Sequence, residues 1–193
     1  VLGTRWLPYE DILKLKMVES MVELYYNSGQ FQNTIACVEP LFEDAFTLYE
    51  KLGQFYEKKG YSEISHSRMR RYEILLEFVK EELEEKSAGK SGNQDPEVEN
   101  PAGKAAEDCR GMETATWADS MIYDLYLREN LKSHPSFEYD QKPYEKAVWE
   151  YRRQEKVPRT AHIEVFRDGK ILLFDYENRD PLLHNAAVKE IQI

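Results

Sequence analysis

The residues best suited to chemistry gather in one short run, His66-Ser67-Arg68-Met69-Arg70-Arg71-Tyr72. On a helix, Arg68 and Arg71 are three positions apart and fall near one face, while Arg70 points elsewhere. Guanidinium groups so placed match the geometry of carboxylates and phosphates. His66, Arg68, Arg70 and Arg71 are therefore a candidate docking patch for an acidic partner surface or an anionic ligand. The competing reading is ion pairing along the helix surface with nearby glutamates, a common arrangement of small energetic value. A second mixed cluster, Phe174-Asp175-Tyr176-Glu177-Asn178-Arg179-Asp180-Pro181-Leu182, is accounted for by a turn that Asp and Asn side chains stabilise.

Other chemistries find little to work with. His66, His134, His162 and His184 each stand alone, without a second ligand at helical spacing, and read as surface or internally satisfied histidines. Cys37 and Cys109 belong to no CxxC pair, which fits a reducing, cytoplasmic setting and a chance pair of thiols. GxGxxG, P-loop, HExxH and GxSxG patterns do not occur. On so acidic a chain, paired carboxylates are expected by chance. No catalytic, cofactor-binding or metal-ligating residue is assigned, and this chain alone is not expected to be an enzyme.

The bulk properties narrow the partners. A formal charge of −10 and a pI near 5.0 repel phosphate backbones, so nucleic acid is not an expected partner. No stretch approaches the roughly 20 apolar residues that span a bilayer, so no membrane role is expected. The start, Val1-Leu2-Gly3-Thr4, lacks an initiator Met and a signal-like apolar run, and reads as cut from a longer protein.

The elements that would position the arginine run are mostly helical. Between Pro8 and Ser28, Leu15, Val18, Val22 and Tyr25 adjoin a row of Leu13, Met17, Met21 and Leu24, which predicts a long, well-buried helix ending at Gly29. Helices follow over 31–41, with Pro40 at a frayed end, and over 44–59, closed by Gly60. Ser62 is the expected cap of a fourth helix running toward Lys86, with Tyr72, Leu75, Leu76, Val79 and Leu83 as its stripe. Residues 87–108 turn to Gly, Pro, Ser, Asn and charge and read as a flexible linker or surface excursion. Helices resume over 114–131 and 144–153. Asp168-Gly169 predicts a hairpin with a two-residue type I′ turn, setting Val165 opposite Leu172 and Ile163 opposite Phe174. The fold class is thus mainly α with a C-terminal β-hairpin (α+β): a helical bundle of about five or six helices. Residues 1–86 form the bundle, and 109–193, the later helices plus hairpin, pack with it as one domain.

Several segments together carry a family resemblance: Leu7 to Asp11, Tyr25 to Phe31, Ser65 to Glu73, Tyr123 to Asn130, and Phe174-Asp175-Tyr176 with Arg179-Asp180-Pro181. They resemble the C-terminal region of cobalamin-binding radical SAM proteins described as similar to the anaerobic magnesium-protoporphyrin IX monomethyl ester oxidative cyclase, a region of unknown function. The resemblance implies a parent whose N-terminal domains bind cobalamin, an iron-sulfur cluster held by CxxxCxxC, and S-adenosylmethionine, with cyclase-like or methyltransferase-like chemistry. This chain carries neither that three-cysteine motif nor a cobalamin-ligating histidine motif, so no family catalytic residue transfers to it. The expected role is a non-catalytic accessory region that caps or supports the core, its partners being the cobalamin and radical SAM domains of the same polypeptide. The alternative is a helical interaction module resembling tetratricopeptide-type helix pairs, against which stands the lack of a second copy at their roughly 34-residue period.

Overall fold

The computed structural model describes residues 6, 8–88, 114–131, 135 and 140–193, without the side chains of 86–88 and 114–116. Most of the stretch read as a linker, and with it Cys109 and His134, lies outside them. The chain divides into two compact units, Val1–Glu113 and Thr114–Ile193. Among the described residues the fold is mostly helical, with a three-stranded antiparallel sheet near the C-terminus.

The first unit holds α1 (Tyr9–Val22), α2 (Gln32–Val38), α3 (Ala45–Lys58) and α4 (Arg68–Ala88). The expected long first helix is present, and it closes in a π-helical turn, Glu23–Asn27, that carries the buried Tyr25. Gly29 then leaves the helix at φ +63°, a conformation glycine adopts without a steric penalty. The expectation of deep burial needs correction. Val18 and Met21 are buried in α1, whereas Leu13 and Leu15 stay nearly half exposed, at 47% and 45%. The reason is that α1 packs chiefly along α3, so one narrow row suffices. That packing is close at Gly53, where an added Cβ would lie 2.5 Å from Met17 Cγ.

Local chemistry sets the helix ends. Asp44 Oδ1 accepts the Thr47 amide at 2.7 Å and caps α3. At its other end Gly60 takes φ +71°, and the Gly60 and Tyr61 amides return to the Glu57 and Tyr56 carbonyls, a Schellman closure. α4 starts later than expected, because Ser67 rather than Ser62 supplies the capping hydroxyl, to the Arg70 amide at 3.2 Å. Its buried face runs through Tyr72, Ile74, Leu75, Phe78 and Val79. Phe78 meets Phe55 of α3 at 5.5 Å between ring centres, and Lys51 reaches from α3 to Glu82 at 2.6 Å.

The second unit contains α5 (Thr114–Arg128), α6 (Glu145–Gln154), β1 (His162–Val165), β2 (Ile171–Asp175) and β3 (Ala187–Glu190), in sheet order β1-β2-β3. The hairpin is present in a register one residue from the expected one. Val165 faces Ile171 and Ile163 faces Leu173. Phe166 and Lys170 still pair, so three residues turn the chain and Gly169 closes it at φ +86°, the geometry of a type I turn with a glycine bulge. The slip divides the apolar side chains between two faces. Phe166 and Phe174 join Ile122 and Tyr126 of α5, while Ile163, Val165 and Ile171 meet Tyr144, Val148 and Tyr151 around α6. The sheet is thus clad by a helix on each side, and β3 adds a third strand that the sequence pattern did not announce.

Replacing Gly53 by Val inserts methyl groups where Met17 already sits. Propensity alone would favour the change in a helix interior; instead we expect a loss of about 1–3 kcal/mol, the usual cost of overpacking, read from urea denaturation followed by circular dichroism. An unchanged midpoint would show that α1 and α3 are not held at this distance.

Candidate functional site

The arginine run sits where α4 begins, and the fold separates its members. Arg70 is engaged: its Nη1 donates to Glu73 at 2.9 Å and to Glu77 at 3.2 Å, its Nη2 donates to the Tyr61 hydroxyl at 3.0 Å, and the group lies 5.3 Å from the Tyr61 ring centre. The helix-pairing account therefore describes Arg70. Arg68 is exposed and does not line the groove described next. His66 and Arg71 are brought together, both lining a groove of about 460 Å³. His66 Nε2 lies 2.9 Å from the Tyr61 carbonyl, and its ring meets those of Tyr56 and Tyr61 edge-on.

One wall of the groove is α1 and the π-helical turn that closes it, through Leu13, Met17, Met21 and Leu24. Tyr56 of α3 and the turn from Tyr61 to His66 form much of the rest. Lys16 and Glu57 add one charge of each sign. Beneath Arg71 lies a relay of buried hydroxyls. Tyr25 donates to the Arg71 carbonyl at 3.1 Å, so its single proton is committed, and the 2.7 Å contact between the Tyr25 and Tyr56 hydroxyls must be donated by Tyr56. Tyr72 similarly donates to the Gln30 carbonyl at 2.9 Å, and its ring lies 4.4 Å from that of Phe31. Burial pushes Tyr25 well above the ordinary tyrosine value, with Tyr56 adding to the shift and Arg71 opposing it. Tyr56 is raised as well, again chiefly by burial.

The second unit has its own network, which the sequence pattern missed. Glu164 is 0% exposed on β1. Gln141 donates to its Oε1 at 2.5 Å, and its Oε2 lies 2.8 Å from His162 Nε2. His162 stacks on Tyr126 at 3.8 Å between ring centres. Glu164 alternates with Ile163 and Val165 along β1, and the helix on each face of the sheet leaves it no side open to solvent. The Tyr176 hydroxyl donates to the carbonyls of Tyr126, at 2.6 Å, and Glu129, at 2.9 Å, where α5 ends. Arg179 donates to the Arg128 and His184 carbonyls and stacks on Tyr176, while Asp175 and Asp180 accept the amides of the turn, as expected for that cluster. Among the described residues, no group of three or more His, Cys, Asp or Glu side chains is placed to hold a metal ion.

Residues 1–171 match a family described as "Protein of unknown function (DUF4080)". The chain belongs to this family. No curated protein and no solved structure matches it at a significant level. The family match spans the first unit and, in the second, runs through α5, α6 and β1 to the first residue of β2. The hydroxyl relay and the groove thus lie wholly within the family's own boundaries.

Tyr25→Phe should cost about 1–3 kcal/mol, since the Arg71 carbonyl loses its second donor and the buried Tyr56 hydroxyl its acceptor. A pH dependence follows. Below about pH 10 tyrosine is protonated both folded and unfolded and stability is untouched; above it the unfolded chain ionises first, because the folded value is raised, and stability falls. Chemical denaturation across alkaline pH should show that fall, and Tyr25→Phe should reduce it without abolishing it, since burial also raises Tyr56 and Tyr49, the latter to about 12. A flat profile to strong alkali would contradict the buried relay.

Proposed function

We propose that this chain is a non-catalytic accessory region of a cobalamin-dependent radical SAM enzyme, one that caps or supports the catalytic core. The reading is supported by the family match over residues 1–171 together with the resemblance of its segments to the C-terminal region of such proteins. The observation that carries it is where those segments lie. Tyr25 to Phe31 meets Ser65 to Glu73 through the Tyr25 and Tyr72 hydroxyls, and Tyr123 to Asn130 meets the segment from Phe174 through Tyr176 and Arg179. Their polar groups bond to the backbone of one another's elements, which is what a scaffold requires.

The chain's own residues do not fit an iron-sulfur cluster. Cys37 and Cys109 are its only cysteines, far apart in sequence, whereas such clusters need three or four thiolates. The cluster, S-adenosylmethionine and cobalamin would therefore be held by N-terminal domains of the same polypeptide, and the present units would shield intermediates from water. A cytoplasmic setting accords with this role, and no helix among the described residues is long and apolar enough to cross a membrane.

The full reading frame upstream of Val1 should encode CxxxCxxC, and the protein purified without oxygen should show the visible absorption of a thiolate-bound cluster. The upstream portion expressed alone should retain that absorption and bind this chain when the two are mixed, as judged by sedimentation velocity. An upstream sequence without the three cysteines, or two portions that never associate, would refute the accessory reading.

A further inference from the structure

We propose that the groove between α1, α3 and the turn before α4 binds a small amphipathic monoanion, an apolar body carrying one carboxylate, with Arg71 as its anchor. The inference stands independently of the radical SAM reading. It begins with a contrast between neighbours. Arg70 has two glutamates and a tyrosine, whereas among the described residues no carboxylate and no hydrogen-bond acceptor engages the guanidinium of the partly buried Arg71. A partly buried arginine that faces a groove without a counter-ion of its own is a ready partner for a ligand that brings one.

The nearest candidates within the chain do not supply it. The Tyr25 and Tyr56 hydroxyls feel Arg71, yet burial holds both neutral. They hold its backbone instead, because Tyr25 donates to the Arg71 carbonyl and Tyr56 to Tyr25. The guanidinium, planar and forked, is suited to grip both oxygens of a carboxylate.

The rest of the lining describes the ligand's other end. Leu13, Met17, Met21 and Leu24 make an apolar wall, and the nearly half-exposed Leu13 gains a partner when the groove is filled. Thioethers are flexible and adapt to varied apolar shapes. The volume of about 460 Å³ falls within the range of small-molecule sites, roughly 300–1,000 Å³. Lys16 adds a second cation, while Glu57 on the same lining, in a chain of net charge −10, opposes a polyanion and restricts the ligand to a single negative charge.

The full chain can be tested with 8-anilinonaphthalene-1-sulfonate, an apolar monoanion whose fluorescence reports binding, displaced in turn by decanoate, decanol and decylamine. Decanoate should displace the dye at a concentration at least about tenfold below that of decanol, the scale of one charge-assisted contact, and decylamine should be weakest. In Arg71→Gln, with an unchanged circular dichroism spectrum, that preference should shrink to within about twofold. If Arg71→Gln fails to fold, Arg71→Lys, which keeps the charge without the fork, should retain the decanoate preference in weakened form. The proposal is overturned if the three competitors act alike, if none displaces the dye, or if the preference survives in Arg71→Gln. It is equally overturned if a glutamate-rich peptide displaces the dye and decanoate does not, since the groove would then be a protein-docking surface.

Discussion

Backbone carbonyls that regular structure leaves unpaired must find donors, and in both units buried side chains, tyrosines above all, provide them. The Tyr176 hydroxyl covers two carbonyls at the end of α5, Arg179 a third, and the Ala186 amide a fourth, on Leu127 at 2.7 Å. In the first unit Tyr72 reaches Gln30 in the turn after α1, while Tyr25 adds a second donor to the Arg71 carbonyl in the first turns of α4. A phenol suits this task because its ring contributes to the core while its tip brings one proton, shared between two carbonyls by Tyr176, into a low-dielectric interior where an orphan carbonyl would cost about 1–3 kcal/mol. Burial then raises the tyrosine pKa, which keeps the donor protonated. The same interaction thus closes helix ends, ties distant segments together and keeps the network neutral. The abundance of tyrosine, 13 residues, follows from this constraint.

A sheet covered on both faces imposes the second constraint. With α5 packed on one side and the α6 region on the other, β1 has no solvent face for Glu164. The carboxylate remains inside because Gln141 and His162 satisfy it, and His162 is held in turn against Tyr126. Removing Gln141 or His162 singly would leave a buried acceptor short of a donor, whereas the intact triad is internally consistent. Such networks fix one register of a short strand, since a slip by one residue would place Glu164 among Val148 and Tyr151 and move an apolar neighbour to the polar position.

Legibility in the sequence followed the physics of each element. Where one face is apolar and a cap residue is present, as in α3 with Asp44 and Gly60, pattern and structure agree closely. Where several residues could serve, the choice is tertiary: both Ser62 and Ser67 precede α4, and only the path of the Tyr61–His66 turn selects Ser67. The end of α6 gave no signal, because Lys156 occupies the left-handed position, φ 51°, that glycine usually marks. The hairpin was visible through Asp168-Gly169, but a dipeptide does not distinguish two-residue from three-residue turns. β3 was hidden because Ala187–Glu190 is short and mostly exposed, and borrows its identity from pairing with β2.

The arginine run shows why a site is harder to read than a fold. Spacing alone grouped Arg68 with Arg71 and set Arg70 apart, whereas the fold leaves Arg68 exposed, pairs Arg70 along its own helix and turns Arg71 to the groove. What spacing cannot report is which of the many glutamates lies opposite each guanidinium. Glu73 and Glu77, one and two turns along the same helix, serve Arg70, as an i,i+3 rule anticipates for the first of them. Arg71, one residue on, is rotated about 100° around the helix and faces α1 and α3 instead. There it acts electrostatically on the Tyr25 and Tyr56 hydroxyls, whose protons go to the Arg71 carbonyl and to Tyr25. Adjacent, chemically identical side chains therefore differ in role because one rotation separates a helix face supplied with counter-ions from a groove wall supplied with neutral hydroxyls.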